Sequence, residues 1–277
     1  MTPPYTFDHA TPQTLAAYTD FVGTGETATA NLRARLADGR LKYQHLCQMH
    51  SGRGMEAAWT DGPGPVLVPH LHPALEQVGL QVLAQHLAVT AAGKRVILDA
   101  TFAPLADAPW LAAGWVLDSH AVIATTDLTA GRWPLDPRVE ERPISELLAP
   151  DLLELYAGLL TVGKIGDTEE TDPAAALSDD LTDREKRLFV LLEDRRVLAA
   201  AVLTQGERGA GIHLLGVHPE QRSRGLGRAL HAHLLAVASE THARHVGATG
   251  YDNLAMRKIF TLNRARMVEQ KQFVQAR

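Results

Sequence analysis

The chain has 277 residues, 45% hydrophobic and 21% charged, with a formal net charge of −5; this is globular composition with room for one large or two modest domains, and it excludes the broad basic field of a nucleic-acid-binding surface. A single cysteine, Cys47, excludes an internal disulfide framework and fits a reducing, cytoplasmic setting. The opening MTPPYTFDHA carries no Lys, Arg or apolar core segment, and no apolar run approaches the roughly 18 residues of a membrane helix, so neither a secretory signal nor a membrane partner is expected.

Two stretches are written on one plan. VLVPHLHPALEQVGLQVLAQHLAV (66–89), RVILDAT (95–101) and residues 105–128 form the first; IHLLGVHPEQRSRGLGRALHAHLLAV (212–237), RHVGATG (244–250) and residues 253–274 form the second. Aligning His72-Pro73 with His218-Pro219 also superposes Gly79-Leu80 on Gly225-Leu226, and a strand-like run follows each helix, which points to duplication. The breakers in GRWPLDP (131–137) divide the chain into domains 1–132 and 137–277. The thirteen histidines form no Cys/His set at ligand spacing, so no metal is expected.

In the second half the spacing predicts a strand over 138–144, then a helix over 145–162 with Leu147, Leu148, Leu152, Leu155 and Leu159 near helical period. A polar loop (163–173) and a short helix (174–187) follow. Strands at 188–192 and 197–203 flank the turn Glu193-Asp-Arg-Arg196, and a further strand covers 212–217. A helix to about Ser239, a strand at 246–250 and a last helix from Asn253 give the order β-α-α-β-β-β-α-β-α-β. The fold class is therefore mixed α/β (α+β), a central mixed sheet flanked by helices.

The loop VHPEQRSRGLGRAL (217–230) carries the chemistry. Pro219 ends the strand. Leu226, Ala229, Leu230, Leu234 and Val237 give the following helix one apolar face, so packing fixes its amino end. First-turn N–H groups lack helical acceptors and the helix dipole adds positive charge. Gly225 and Gly227 open the backbone to close approach, and Arg222, Arg224 and Arg228 add full charges. These are the parts of a pyrophosphate cradle. The lysine-bearing phosphate loop and the dinucleotide GxGxxG are both absent.

Val217, Pro219, Arg222, Gly225 and Gly227, in strand-Val-x-Pro-x-x-Arg-x-x-Gly-x-Gly-helix, resemble the Gln/Arg-x-x-Gly-x-Gly/Ala motif of the GCN5-related N-acetyltransferase (GNAT) superfamily. The resemblance implies two tandem GNAT folds, an arrangement similar to mycothiol synthase-like proteins, and an acetyl-CoA-dependent N-acetyltransferase. It implies that Leu215, Gly216 and Val217 pair with the pantetheine arm beside a bulge that splays two parallel strands. It assigns the pyrophosphate to the backbone of Ser223, Arg224, Gly225, Leu226, Gly227 and Arg228, with Asn253 completing the grip. The first half reads as a decayed copy: Glu76 stands where Arg222 does and Gln81 where Gly227 does, so it is expected to be cofactor-silent.

The resemblance also shows where the pattern fails. The thiolate-protonating tyrosine of the family falls on Phe260, beside the cofactor, and its strand glutamates fall on Gly211 and Ala248. His213 is a candidate base, the alternative being a structural strand histidine. Asp167, Glu169 and Glu170 are candidates for recognising a cationic amine, the alternative being a solvated acidic loop. The expected acceptor is a primary amine of a small molecule or peptide, in a monomer or homodimer. The competing function is a non-catalytic CoA- or acyl-CoA-binding protein.

Overall fold

A computed structural model describes residues 5–23, 26–91, 93–160, 186–206 and 209–276. They group into two compact units, Met1–His120 with Val268–Arg277, and Ala121–Met267. This division differs from halves at 1–132 and 137–277 in two strand ends. Residues 121–132 count with the second unit and 268–277 with the first. The cause is strand pairing, which alternation within a single strand does not reveal.

Unit 1 contains β1 (Thr6–His9), α1 (Leu15–Phe21), α2 (Glu26–Ala37), β2 (Leu46–Ser51), β3 (Gly54–Thr60), β4 (Val66–Leu67), β5 (His70–Leu71), α3 (Gln77–Thr90), β6 (Arg95–Asp99), α4 (Ala108–Ala112) and the start of β7 (Trp115–Asp127). One sheet has the order β1-β2-β3-β5. The 66–71 segment is split: β4 pairs in parallel with β6, whereas β5 pairs antiparallel with β3. Beyond the helices of the second half lies β13 (Arg266–Gln275), whose residues 270–273 pair antiparallel with β6. Phe273 from this strand is fully buried and stacks on Trp110, centroids 5.6 Å apart. Trp115 donates its indole N–H to Ala84 O at 3.0 Å. The turn between the two tryptophans is made by Gly114 at φ +86°.

Unit 2 contains β8 (Val139–Arg142), α5 (Leu153–Leu160), β9 (Lys186–Glu193), β10 (Arg196–Gly206), β11 (Gly209–Val217), α6 (Leu226–Ser239), β12 (Arg244–Gly250) and α7 (Leu254–Leu262). Its strands run β7-β12-β11-β10-β9-β8, with β11 and β12 parallel and the other neighbours antiparallel. Asp194 and Arg195, at φ 50° and 65°, make the tight turn of the expected hairpin, whose positive-φ pair matches the right-handed twist of its strands. The helix expected over 145–162 is instead a 3-10 turn at Ile144–Leu148 followed by α5. Pro150 explains the break, because it forces Ala149 to an extended ψ of 127°. The helix expected at 174–187 lies outside the described residues except for Lys186 and Arg187, which open β9.

β10 shows why both faces of this sheet are covered. Ala199, Ala201 and Leu203 pack with Leu226, Leu230 and Leu234 of α6, whereas Ala200 and Val202 pack with Tyr156 and Leu159 of α5. On β11, Gly216 is essential to the second contact, since a Cβ there would collide with the Leu159 carbonyl. Between α6, α7 and β12 lie His231 and His245, both fully buried with rings 5.4 Å apart. Asn263 Nδ2 meets His231 Nδ1 at 2.8 Å, and neither nitrogen of His245 has a hydrogen-bond partner among the described residues. Burial pushes His231 down to about 3 and His245 to about 4.

Two outcomes follow from this packing. Gly216→Ala should lower stability by about 3 kcal/mol because backbone must move, whereas Gly158→Ala, on the exposed side of α5 with nothing near its Cβ, should raise it by about 0.5–1 kcal/mol; thermal unfolding of both variants checks the signs. The buried histidines stay neutral when folded and take up protons when unfolded, so stability should fall as pH drops below 6.5 and keep falling toward 4 and then 3. In His245→Leu the slope of urea-derived stability against pH between 6 and 5 should flatten by close to one proton, about 1.4 kcal/mol per pH unit. An unchanged slope would contradict the assignment.

Candidate functional site

The parallel pairing of β11 with β12 consists, among the described residues, of the single register pair Ala210–His245. From there the strands part. On the β10 side, Val202 faces Leu214 and Leu203 faces Ile212, so His213 is the extra residue of a β-bulge. His213 is exposed. β12 is held on its other edge by continuous pairing with β7 from Arg244–Asp127 to Gly250–Ala121.

The ladder determines which amides face the gap. His218 N–H donates to Leu198 O at 2.8 Å, and hydrogen-bonded pairs alternate along an antiparallel ladder. Leu214 and Gly216 therefore turn their amides toward β10. Leu215 and Val217 turn theirs toward the gap. Of the three residues expected along the pantetheine, Gly216 thus has a different duty, the close approach of α5. The Val217 carbonyl accepts from Arg222 Nε at 3.3 Å.

The gap leads to the first turn of α6. Ser223 at φ 63° and Gly225 at φ 81° carry the chain through left-handed conformations into the helix. The α6 ladder begins with Ala229 N–H donating to Gly225 O at 3.0 Å, leaving the N–H groups of Leu226, Gly227 and Arg228 with no acceptor in the helix. No side chain caps this end. The two glycines serve different needs: Gly225 supplies the positive φ in open space, whereas a Cβ on Gly227 would sit 3.1 Å from Ile259 Cδ1 and 3.3 Å from Val217 Cγ2. Gly227 therefore lets α6, α7 and β11 meet.

The side chains of three expected contributors have partners of their own. Arg224 is bound at 3.1 Å by both oxygens of Glu193, in the β9–β10 turn, so its charge is neutralised. Asn253 is the N-cap of α7, its Oδ1 accepting from Met256 N–H at 3.1 Å. Phe260 is 1% exposed, with its ring edge-on to His231 and against Gly247, so it supplies core packing. Arg222 and Arg228 are exposed beside the cradle. Asp167, Glu169 and Glu170 lie outside the described residues.

Sequence reasoning missed Glu193 as the partner of Arg224, since no local pattern joins residues so far apart in sequence. It also missed the turn after α7. Arg264 N–H donates to Thr261 O and Ala265 N–H to Phe260 O, a Schellman cap with Arg264 at φ 63° where glycine is the usual occupant.

The corresponding place in unit 1 differs. Gly79, which sequence alignment matches to Gly225, is the third residue of α3 and has no positive φ. A Cβ on it would meet Leu75 and lie 2.7 Å from the Tyr5 hydroxyl. The Cβ position of Gly79 is thus filled by the unit's own side chains, although Gln77 and Val78 before it are exposed. Among the described residues no group of three or more His, Cys, Asp or Glu is placed to share a metal ion.

The acetyltransferase (GNAT) family matches residues 149–262, all within unit 2. A GCN5-related N-acetyltransferase from Sphaerobacter thermophilus has a similar fold, with TM-score 0.50 and 14% identity over 98% of this chain and 96% of that one. A second from Kribbella flavida aligns with TM-score 0.46 and 14% identity over 78% and 85%. A tandem GNAT protein from the clavulanic acid biosynthesis pathway aligns with TM-score 0.41 and 13% identity over 97% and 98%. Comparison with curated proteins finds no match. The motif at 217–227 and the parted parallel strands both lie within the segment, residues 149–262, that matches the acetyltransferase (GNAT) family.

Proposed function

We propose that unit 2 binds acetyl-CoA in the gap between β11 and β12 and transfers the acetyl group directly to a primary amine of a small molecule or peptide. The observation that carries this reading is the parting of the strands after Ala210–His245, which leaves the Leu215 and Val217 amides facing a gap that ends at the uncapped first turn of α6. A buried backbone group needs a partner, and an extended amide-bearing chain ending in a pyrophosphate offers one, by strand addition along β11 and anion capture at α6.

When bound, coenzyme A supplies an activated acetyl thioester. The chain's own groups then have separable duties. Leu215 and Val217 orient the arm, and the N–H groups of Leu226, Gly227 and Arg228 take the anion, with Arg222 adding charge. To His213, exposed on the bulge, this reading assigns the proton released when a neutral amine attacks. A cysteinyl acyl-enzyme has no support: Cys47, the chain's one cysteine, lies in unit 1, where burial pushes its thiol up to about 12. Phe260 has no proton to give a leaving thiolate, so that proton would come from water or from another group of the chain. Unit 1 is silent in this scheme because α3 lacks the left-handed glycine turn that opens α6, and Tyr5 and Leu75 close on Gly79. A cytoplasmic setting suits the cofactor; among the described residues no helix is long and apolar enough to cross a membrane.

The burial of Phe260 favours one second reading, a GNAT-fold protein that holds CoA without turnover. Calorimetry should give one acetyl-CoA per chain, lost in Gly225→Val; two equivalents or none would overturn the asymmetry between the units. A thiol-release screen across a panel of amines should then show turnover above background, reduced at least ten-fold in His213→Ala. Normal binding with background release across the panel would establish the second reading instead.

A further inference from the structure

The arginines of unit 2 fall into two groups. Arg138, Arg142, Arg187 and Arg224 each have a carboxylate within 3.1 Å. Others have none among the described residues, and Arg222, Arg228 and Arg264, all exposed, are three of these. They come from two segments, the start of α6 and the turn after α7, that touch through Asn263. Arg222 precedes α6, Arg228 lies in its first turn, and Arg264 follows α7. Asn263 ties the last to the second: it is 4% exposed, its Nδ2 donates to Arg228 O at 3.5 Å, and the same atom meets His231 Nδ1. The turn that carries Arg264 therefore rests on the turn that carries Arg228.

Arg264 also occupies a backbone position that opposes it. At φ 63° in a Schellman cap, glycine would relieve the steric cost. In unit 1 the turn that follows α4 and leads into β7 has Gly114 at φ +86°. A charged side chain is thus kept at a left-handed position, with no carboxylate partner among the described residues, on a turn that rests on the first turn of α6.

We propose that Arg264 and Arg228 bind the 3′-phosphate on the ribose of coenzyme A, so that this protein discriminates CoA from its dephosphorylated form through the turn after α7. This rests on the coenzyme A reading of the cleft. It assigns a separate role, since the pyrophosphate is held by backbone N–H groups and Arg222, whereas the 3′-phosphate is a separate dianion beyond them. The planar guanidinium fork suits a phosphate, and lysine at 264 would retain the charge but lose the bidentate geometry.

The test is calorimetric titration of wild type, Arg264→Gly and Arg264→Lys with CoA and with dephospho-CoA, together with thermal melting of each variant. Wild type should bind CoA at least ten-fold more tightly than dephospho-CoA. Arg264→Gly should lose most of that ratio, keep its dephospho-CoA affinity within two-fold, and melt higher than wild type; Arg264→Lys should keep part of the ratio. Equal binding of the two compounds by wild type, or an unchanged ratio in Arg264→Gly, would overturn the proposal while leaving the cleft assignment intact. Failure of wild type to bind either compound would overturn both.

Discussion

Two parallel strands that pair at Ala210–His245 and then part set the conditions for everything else in unit 2. Parting is imposed from the outside edges. β12 is paired to β7 over its whole length, and β11 is paired to β10 on its far side. The bulge at His213 shifts the register, and α5 sits directly on Gly216, so β11 cannot follow β12. The consequence is chemical: Leu215 and Val217 present backbone donors and acceptors to a gap, and such groups are satisfied by water or by a ligand with matching amides.

The glycines and the left-handed residues divide the work of holding this shape. Gly216 admits a helix backbone, Gly227 lets two helices and a strand meet, and Gly225 turns the chain into α6. Each is a glycine for its own reason. Replacing them by one explanation, ligand approach, would miss that two of the three are packing devices. Arg264 is the converse case, a side chain retained at a left-handed position that favours glycine.

Much of this was legible in the sequence because it was local. The hairpin around Asp194 and Arg195, the apolar face of α6 and the glycine-rich turn before it follow from short-range periodicity and turn chemistry. What was not legible was long-range. Strand alternation at 268–275 does not reveal that its partner is β6, so the unit boundary differed from the composition break at 131–137. Glu193 neutralises Arg224 across 31 positions, and a charge count over the loop therefore overstated its positive field. Gly79 and Gly225 align as letters but not as conformations, because α3 starts two residues before Gly79 whereas α6 starts one after Gly225. Pro150 was visible, but the leucine periodicity around it was the stronger pattern and masked the break.

The central claim is that the cofactor is held by named backbone amides of unit 2 alone. Amide hydrogen exchange with and without acetyl-CoA tests it residue by residue. The account predicts slowed exchange at Leu215, Val217, Leu226, Gly227 and Arg228, with the first turn of α3 unchanged. Protection at α3, or unchanged exchange at Leu215 and Val217 under saturating cofactor, would contradict it.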